Sequence, residues 1–313
     1  MKKALKFILI ILAIFIGLPV LILLFRPNMI LSKAAVKAQL SLPTSHFIQW
    51  RGAEIHYTDE GHGIPVMMIH GYGGSHRNFQ KLNDSLKDQY RIIRIDLPGF
   101  GLSDLPESKE EKIDFLQTYS DFFTFMLDTL HTDSVYMIGN SMGGMMAWNA
   151  ALQHTDKVKK LVLIASAGYD LDKVAKGLSW AMNMPSMDFV YSKGIPLNVY
   201  RGSSQKIYYD LSKLNPTEQI INNKLWNRQG NLDAAYRLMR SGQYPDTAQI
   251  PHITIPTLII WGKNDKIVPV DHAYRFQRDI KGAELLILDS CGHVPMIERP
   301  NETAAAIRKF FAE

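Results

Sequence analysis

The order of apolar and amphipathic stretches predicts an α/β fold: a doubly wound, mostly parallel sheet with helices on both faces. Three observations carry this expectation. Short apolar runs recur along the chain, most are continuous rather than alternating, and amphipathic stretches separate them. Continuous runs suit strands buried on both faces, and strand–helix alternation suits stacked βα units.

In chain order, Phe47–Trp50 and Ile55–Tyr57 read as a strand pair. Further strands are expected at Val66–Ile69, Arg91–Ile95, Val135–Ile138, Leu161–Ile164, Leu258–Trp261 and Leu285–Leu288. Helical periodicity falls on Ile113–Leu130, Met145–Gln153, His272–Ile280 and Glu302–Phe311. Between Ala165 and Leu258 about 90 residues lack this rhythm and are rich in Met, Tyr and Trp, Trp180 among them. A structureless loop of that size is disfavoured, so a small helical insertion is expected there.

The N-terminus differs in kind. Phe7–Phe25 runs for 19 residues without a charged or hydrogen-bonding side chain. As a helix it would span roughly 28 Å, close to the hydrocarbon thickness of a bilayer. It is long for the apolar part of a cleaved signal peptide, and no clean small-x-small site follows it. An uncleaved transmembrane helix is therefore expected, a signal-anchor with residues 1–40 as anchor and juxtamembrane segment. Lys2, Lys3 and Lys6 precede the run, while Arg26, Lys33 and Lys37 follow it. The positive-inside rule then favours a cytoplasmic N-terminus, with the large domain extracytoplasmic, on the periplasmic side if bacterial. Residues 31–40 read as a short helix at headgroup level.

Charge sharpens this division. The net charge of +5 invites a nucleic-acid reading, but residues 1–40 hold six basic and no acidic side chains. Residues 41–313 are left with 29 basic against 30 acidic groups, so no basic face for a phosphate backbone is implied. The single cysteine, Cys291, permits no intramolecular disulfide.

The sharpest motif is Gly139-Asn140-Ser141-Met142-Gly143, between an expected strand and an expected helix. A strand-to-helix turn of this kind exposes its central hydroxyl at the carboxyl edge of a sheet, at the positive end of the next helix. Serine needs a base, and the base needs an orienting acid. Asp265 in WGKNDKIVP and His293 in DSCGHVPMIERP follow the last two strands and supply both. Asp170 and Asp289 compete for the acid role, Asn264 offers an orienting amide, and Asp271 suits a helix cap. An oxyanion needs fixed donors, assigned here to the backbone N–H groups of Tyr72 and Met142. His70, Gly71, Gly73, Phe100 and Trp180 are the candidate pocket residues. A dinucleotide reading of Gly71-x-Gly73 fails, because His76 stands at the third glycine position.

With these segments in place, the chain from about Phe47 to Phe311 resembles the α/β-hydrolase superfamily. HGYGGS, DLPGFGLSD, GNSMGG, WGKNDKIVP and CGHVPMIERP carry the resemblance, in the family's order. It implies a serine hydrolase domain over residues 41–313, with a helical cap insertion at about 168–250 and no cofactor or metal. Combined with the apolar leader, IIWGKND and CGH…MIERP look like the membrane-anchored monoacylglycerol lipases, and like bacterial lipases and esterases. The expected function is thus a membrane-tethered hydrolase of carboxylic esters, with a lipid or other hydrophobic ester as substrate. GNSMGG is also similar to the meta-cleavage-product hydrolases, which break carbon–carbon bonds. Against these stand the missing Gly-Pro pair at Gly71–Gly74, and Val294 where they usually carry Trp. A cofactor-free perhydrolase of the haloperoxidase type is a further alternative. Ser141 argues against the aspartate-nucleophile dehalogenases and epoxide hydrolases. A non-catalytic binding domain is the reading from outside enzymology.

Overall fold

The computed structural model describes residues 27–107, 114–169 and 192–313 of the chain. The run Phe7–Phe25, Asp170 and Trp180 lie outside the described residues. The described elements begin with helix α1 (Lys33–Leu40), then β1 (Ser45–Trp50), β2 (Ala53–Glu60) and β3 (Pro65–Ile69). There follow α2 (Gln80–Leu86), β4 (Arg91–Ile95), α3 (Phe115–Thr129), β5 (Val135–Asn140), α4 (Met142–Gln153) and β6 (Val158–Ile164). Three helices, α5 (Leu197–Ser204), α6 (Pro216–Trp226) and α7 (Asn231–Ser241), occupy the described part of the expected insertion. The chain closes with β7 (Thr257–Gly262), α8 (Asp271–Asp279), β8 (Glu284–Leu288), α9 (Pro295–Glu298) and α10 (Pro300–Ala312).

The strands form one eight-stranded sheet in the order β1-β2-β4-β3-β5-β6-β7-β8. The first two pairings, β1–β2 and β2–β4, are antiparallel, and every later one is parallel. All eight expected strands are present, most extended by one to three residues. Their continuous apolar pattern has a direct cause. Met67 and Ile69 of β3 pack into one hydrophobic cluster with Met137, Leu161, Leu163 and Ile259. Val66 and Met68, the alternate residues, enter a second cluster with Ile138, Val162, Ile164 and Ile260. The central parallel strands thus feed both faces, and each fully buried aliphatic side chain contributes about 1.5–3 kcal/mol.

Strand order reverses at β3, with β4 on one side and β5 on the other, which opens a crevice at the carboxyl edge. Register levels that edge: Ile69 pairs with both Ile95 and Gly139, Asn140 with Ile164, and Gly262 with Leu288. The loops after β3, β5, β7 and β8 therefore emerge side by side.

Among the described residues no helix is long and apolar enough to cross a membrane. The headgroup-level reading of residues 31–40 is corrected. Helix α1 buries Val36 and Leu40 against Leu102 and Leu225, beneath Phe47 and Ile221. Its lysines are taken up by the domain: Lys33 pairs with Asp104 at 3.0 Å, and Lys37 pairs with Glu54 at 2.7 Å while lying over the Phe47 ring. Its apolar face was a packing face.

Candidate active site

The turn after β5 is strained, and packing enforces the strain. Ser141 holds φ 54 and ψ −119, a region costly for any residue with a Cβ, by about 1–3 kcal/mol. Its neighbours leave no relaxed alternative. A Cβ on Gly143 would fall inside the carbonyl of Ile69, and one on Gly139 inside the carbonyl of Gly143, so β3, β5 and α4 meet backbone to backbone. Ser141 N–H donates to Ile164 O at 3.1 Å, and Ser141 O accepts from Ala167 N at 2.9 Å. Met142 opens α4, where the first N–H groups have no partner within the helix.

Asp265 and His293 meet across the last two strands. His293 Nδ1 lies 2.7 Å from Asp265 Oδ2, and both residues are buried. The other oxygen, Oδ1, accepts Ile267 N–H at 2.7 Å and Val268 N–H at 3.0 Å, which fixes the carboxylate plane. With Nδ1 donating to the carboxylate, Nε2 remains to accept a proton. Asn264 N–H donates to Cys291 O at 2.9 Å, tying the two loops together, while its side chain sits in an exposed position. Asp289, a rival acid in the sequence, points to solvent and pairs with Lys263 at 2.7 Å. Asp271 stands in the first turn of α8 without a side-chain capping bond. Burial pushes the Cys291 thiol up to about 12, which makes it inert rather than nucleophilic.

Ser141 and His293 line one cavity of about 1030 Å³, roofed by residues of α5, α6 and the segment between them. Gly73, a candidate pocket residue, lines it, and so does Tyr72. The expectation that His70, Gly71 and Phe100 line it is corrected, because all three lie behind the wall. His70 is fully buried, its Nδ1 donating to Gly71 O at 2.7 Å and its Nε2 accepting Leu97 N–H at 3.0 Å. Those two partners demand the neutral ring, and burial pushes its pKa down in agreement. Phe100 stacks edge-on to both His70 and Tyr72, and Gly71 backs directly onto Ser141. These residues brace the loop at residues 70–76 from behind.

The brace continues into a buried trio. His56 Nδ1 lies 2.8 Å and His76 Nδ1 3.1 Å from the Asp96 carboxylate, which also accepts the N–H groups of His76 at 2.6 Å and Leu102 at 2.8 Å. Among the described residues this is the one His/Asp group whose atoms lie close enough to hold a metal ion. The four donors already occupy the lone pairs of the carboxylate, so the trio fits a structural clasp on the loop at residues 70–76. Burial alone would raise the Asp96 pKa, but His76, His56 and their hydrogen bonds hold it well below the carboxylate range.

Sequence reasoning missed the clasps between cap and sheet. Arg228, buried after α6, pairs with Asp104 at 2.7 Å and donates to Asn231 Oδ1 at 3.1 Å. Arg77 makes two hydrogen bonds to Glu218 of α6, at 2.9 and 3.2 Å. Tyr72 donates to Ala235 O at 3.1 Å and packs edge-on to Trp226. Leu31 joins the cap too, donating to Asn227 O at 2.8 Å and accepting Gln229 N–H at 2.9 Å. No local pattern marks such pairs, whose members stand up to about 200 positions apart.

The fold agrees with comparison to known proteins. Residues 64–300 match the alpha/beta hydrolase fold family, and the chain belongs to it. A 2-hydroxy-6-oxo-6-(2'-aminophenyl)hexa-2,4-dienoic acid hydrolase of Metapseudomonas resinovorans is 29% identical over 269 residues, covering 85% of this chain and 90% of the relative. A 2-hydroxy-6-oxononadienedioate/2-hydroxy-6-oxononatrienedioate hydrolase of Klebsiella pneumoniae is 30% identical over 293 residues, covering 88% and 98%. In fold, the chain is similar to the meta-cleavage product hydrolase of Pseudomonas fluorescens IP01, with a TM-score of 0.72 at 24% identity, covering 85% and 97%.

These relatives overturn the expectation of a lipid-ester hydrolase. They match nearly end to end and are named for dienoate substrates, whereas the lipid reading rested on an apolar leader and a Met- and aromatic-rich interval. The two departures weighed against carbon–carbon cleavage also lose their force. Tyr72, Gly73, Gly74 and Val294 all line the cavity, so they alter its wall rather than the Ser141–His293–Asp265 arrangement.

Proposed function

We propose that the protein is a carbon–carbon bond hydrolase of the meta-cleavage-product type, acting on 2-hydroxy-6-oxo-dienoates. The observation that carries this reading is the charge of the cavity that holds Ser141 and His293. Among its described lining residues Arg77 is paired with Glu218, and the exposed Lys81 and Lys213 add two uncompensated positive charges at its rim, an electropositive balance suited to an anionic substrate. A neutral glyceride would gain nothing from it. Near end-to-end similarity to enzymes named for such acids supports the same choice.

The chemistry suits the residues. A proton shift from the 2-hydroxyl to C5 gives a 2,6-dioxo form, in which C5–C6 cleavage can deliver its electron pair into the conjugated C2 ketone. Ser141 Oγ adds to the C6 carbonyl as His293 takes its proton, with Asp265 holding the imidazole tautomer. The amides of Tyr72 and Met142 are the donors this mechanism assigns to the oxygen that gains charge. Breaking C5–C6 then leaves an acyl group on Ser141 and a dienolate, which takes up a proton. Water releases the acid. One water is consumed per bond broken, and the products are a carboxylic acid and 2-hydroxypenta-2,4-dienoate.

The test is product analysis with 2-hydroxy-6-oxo-6-phenylhexa-2,4-dienoate. Equimolar benzoate and 2-hydroxypentadienoate are expected from the wild type, and a loss of about 10³-fold or more in Ser141→Ala. Unchanged turnover in Ser141→Ala would refute the assignment of the nucleophile.

A further inference from the structure

Glu298 ends α9, five residues beyond His293, and is buried. Its carboxylate accepts three backbone N–H groups: Gly292 at 2.7 Å on one oxygen, and Tyr209 at 3.0 Å and Asp210 at 2.9 Å on the other. Among the described residues no cation pairs with it, so these dipoles alone compensate a buried charge. Gly292 immediately precedes His293, while Tyr209 and Asp210 belong to the strap at 205–213 between α5 and α6.

The strap and the His293 loop meet at a second point. His293 N–H donates to Ile207 O at 2.8 Å. Only glycine permits that approach: a Cβ on Gly292 would lie 2.6 Å from Ile207 O, 2.7 Å from Tyr209 N and 2.9 Å from Glu298 Oε1. Ile207 and Tyr208 line the substrate cavity together with His293. One short segment is therefore both cavity wall and backbone mount for the histidine. Burial and then the nearby Glu298 carboxylate push the Tyr208 hydroxyl up to about 12.

We propose that Glu298 is a positioning residue that locks the strap to the His293 loop, so that substrate seated against Ile207 and Tyr208 settles the placement of the imidazole. This rests on the reading of His293 as the base. The carboxylate suits the task because it accepts from both segments at once. An amide in its place would turn one NH₂ group toward backbone donors.

Two variants test it from opposite sides. Glu298→Gln weakens the lock itself. Asp210→Pro removes one donor from the strap and leaves Glu298 in place. Each is measured by hydrogen exchange of the 205–213 amides, by the low-field resonance of the His293 Nδ1 proton, and by kcat and KM for the phenyl dienoate. Faster strap exchange, a displaced resonance and a kcat lowered about 10- to 100-fold with KM within about threefold are expected, the effect being larger in Glu298→Gln. Faster exchange with an unmoved resonance and unchanged kcat would overturn the proposal, leaving Glu298 as a fastener only. Unchanged exchange in both variants would overturn it too. Should the wild type cleave no dienoate while the resonance still follows Glu298, the reading of the reaction fails and the positioning role stands.

Discussion

At the carboxyl edge of the sheet, Ser141 and His293 are fixed by backbone that has nowhere else to go. Of the helices above them, α7 buries Ala235 and Leu238 in the core, whereas α5 and α6 are held largely by side-chain clasps and by the strap that joins them to the His293 loop. Around Ser141, strand and helix are in van der Waals contact, with glycine at each close approach and a positive φ at the apex. Above the cavity, Arg228–Asp104, Arg77–Glu218 and Tyr72–Ala235 are single long-range attachments. Chemistry needs placement within a fraction of an ångström and draws on the first kind of support. Substrate selection tolerates variation and draws on the second.

Perturbing the sheet edge should therefore cost most. Asp265→Asn keeps the shape of the acid but can supply the wrong hydrogen-bonding face to His293 Nδ1. A fall of about 10³- to 10⁴-fold in kcat with an unchanged melting temperature is expected from steady-state kinetics and calorimetry. A fall of less than tenfold would mean that another acid serves the histidine.

Glycine substitution contrasts the two regions directly. Gly143→Ala drives a methyl group into the Ile69 carbonyl and should destabilise by about 2–4 kcal/mol, read as a lowered denaturant midpoint. Gly202→Ala, inside α5 with nothing within 4 Å of its Cβ, should stabilise by about 0.4–1 kcal/mol. Equal effects at the two sites would erase the distinction.

The effect with the narrowest pH window concerns the clasp behind the loop at residues 70–76. Because the folded Asp96 pKa is depressed, its contribution is fully present above the unfolded value of about 3.9 and is lost as pH falls through the folded value. Asp96→Asn should melt lower at neutral pH and show a shallower decline below about pH 4. A parallel acid limb in both proteins would assign acid sensitivity elsewhere.

The same contrast governs what the sequence discloses. The central parallel strands could be read because burial on both faces leaves unbroken apolar runs, whereas β1 buries only Trp50 and β2 is largely polar. Ser141, Asp265 and His293 could be located because each follows a strand whose end the sheet places. Helix α1 was misplaced at a membrane surface because amphipathic periodicity does not say which apolar partner it meets. His70 and Phe100 were assigned to the pocket because a loop motif does not show which side chains turn inward. Arg228 and Glu298 carry no local signature at all, since their partners are distant in sequence. The lipid expectation failed for a related reason: Met and aromatic richness is equally the mark of ordinary packing.

The most direct test compares kcat/KM for 2-hydroxy-6-oxo-6-phenylhexa-2,4-dienoate with that for a p-nitrophenyl ester of matched size, on the same wild-type preparation. The account predicts dienoate cleavage faster by about 10²-fold or more, with both activities abolished in Ser141→Ala. Faster ester hydrolysis, with no cleavage of the dienoate, would contradict it.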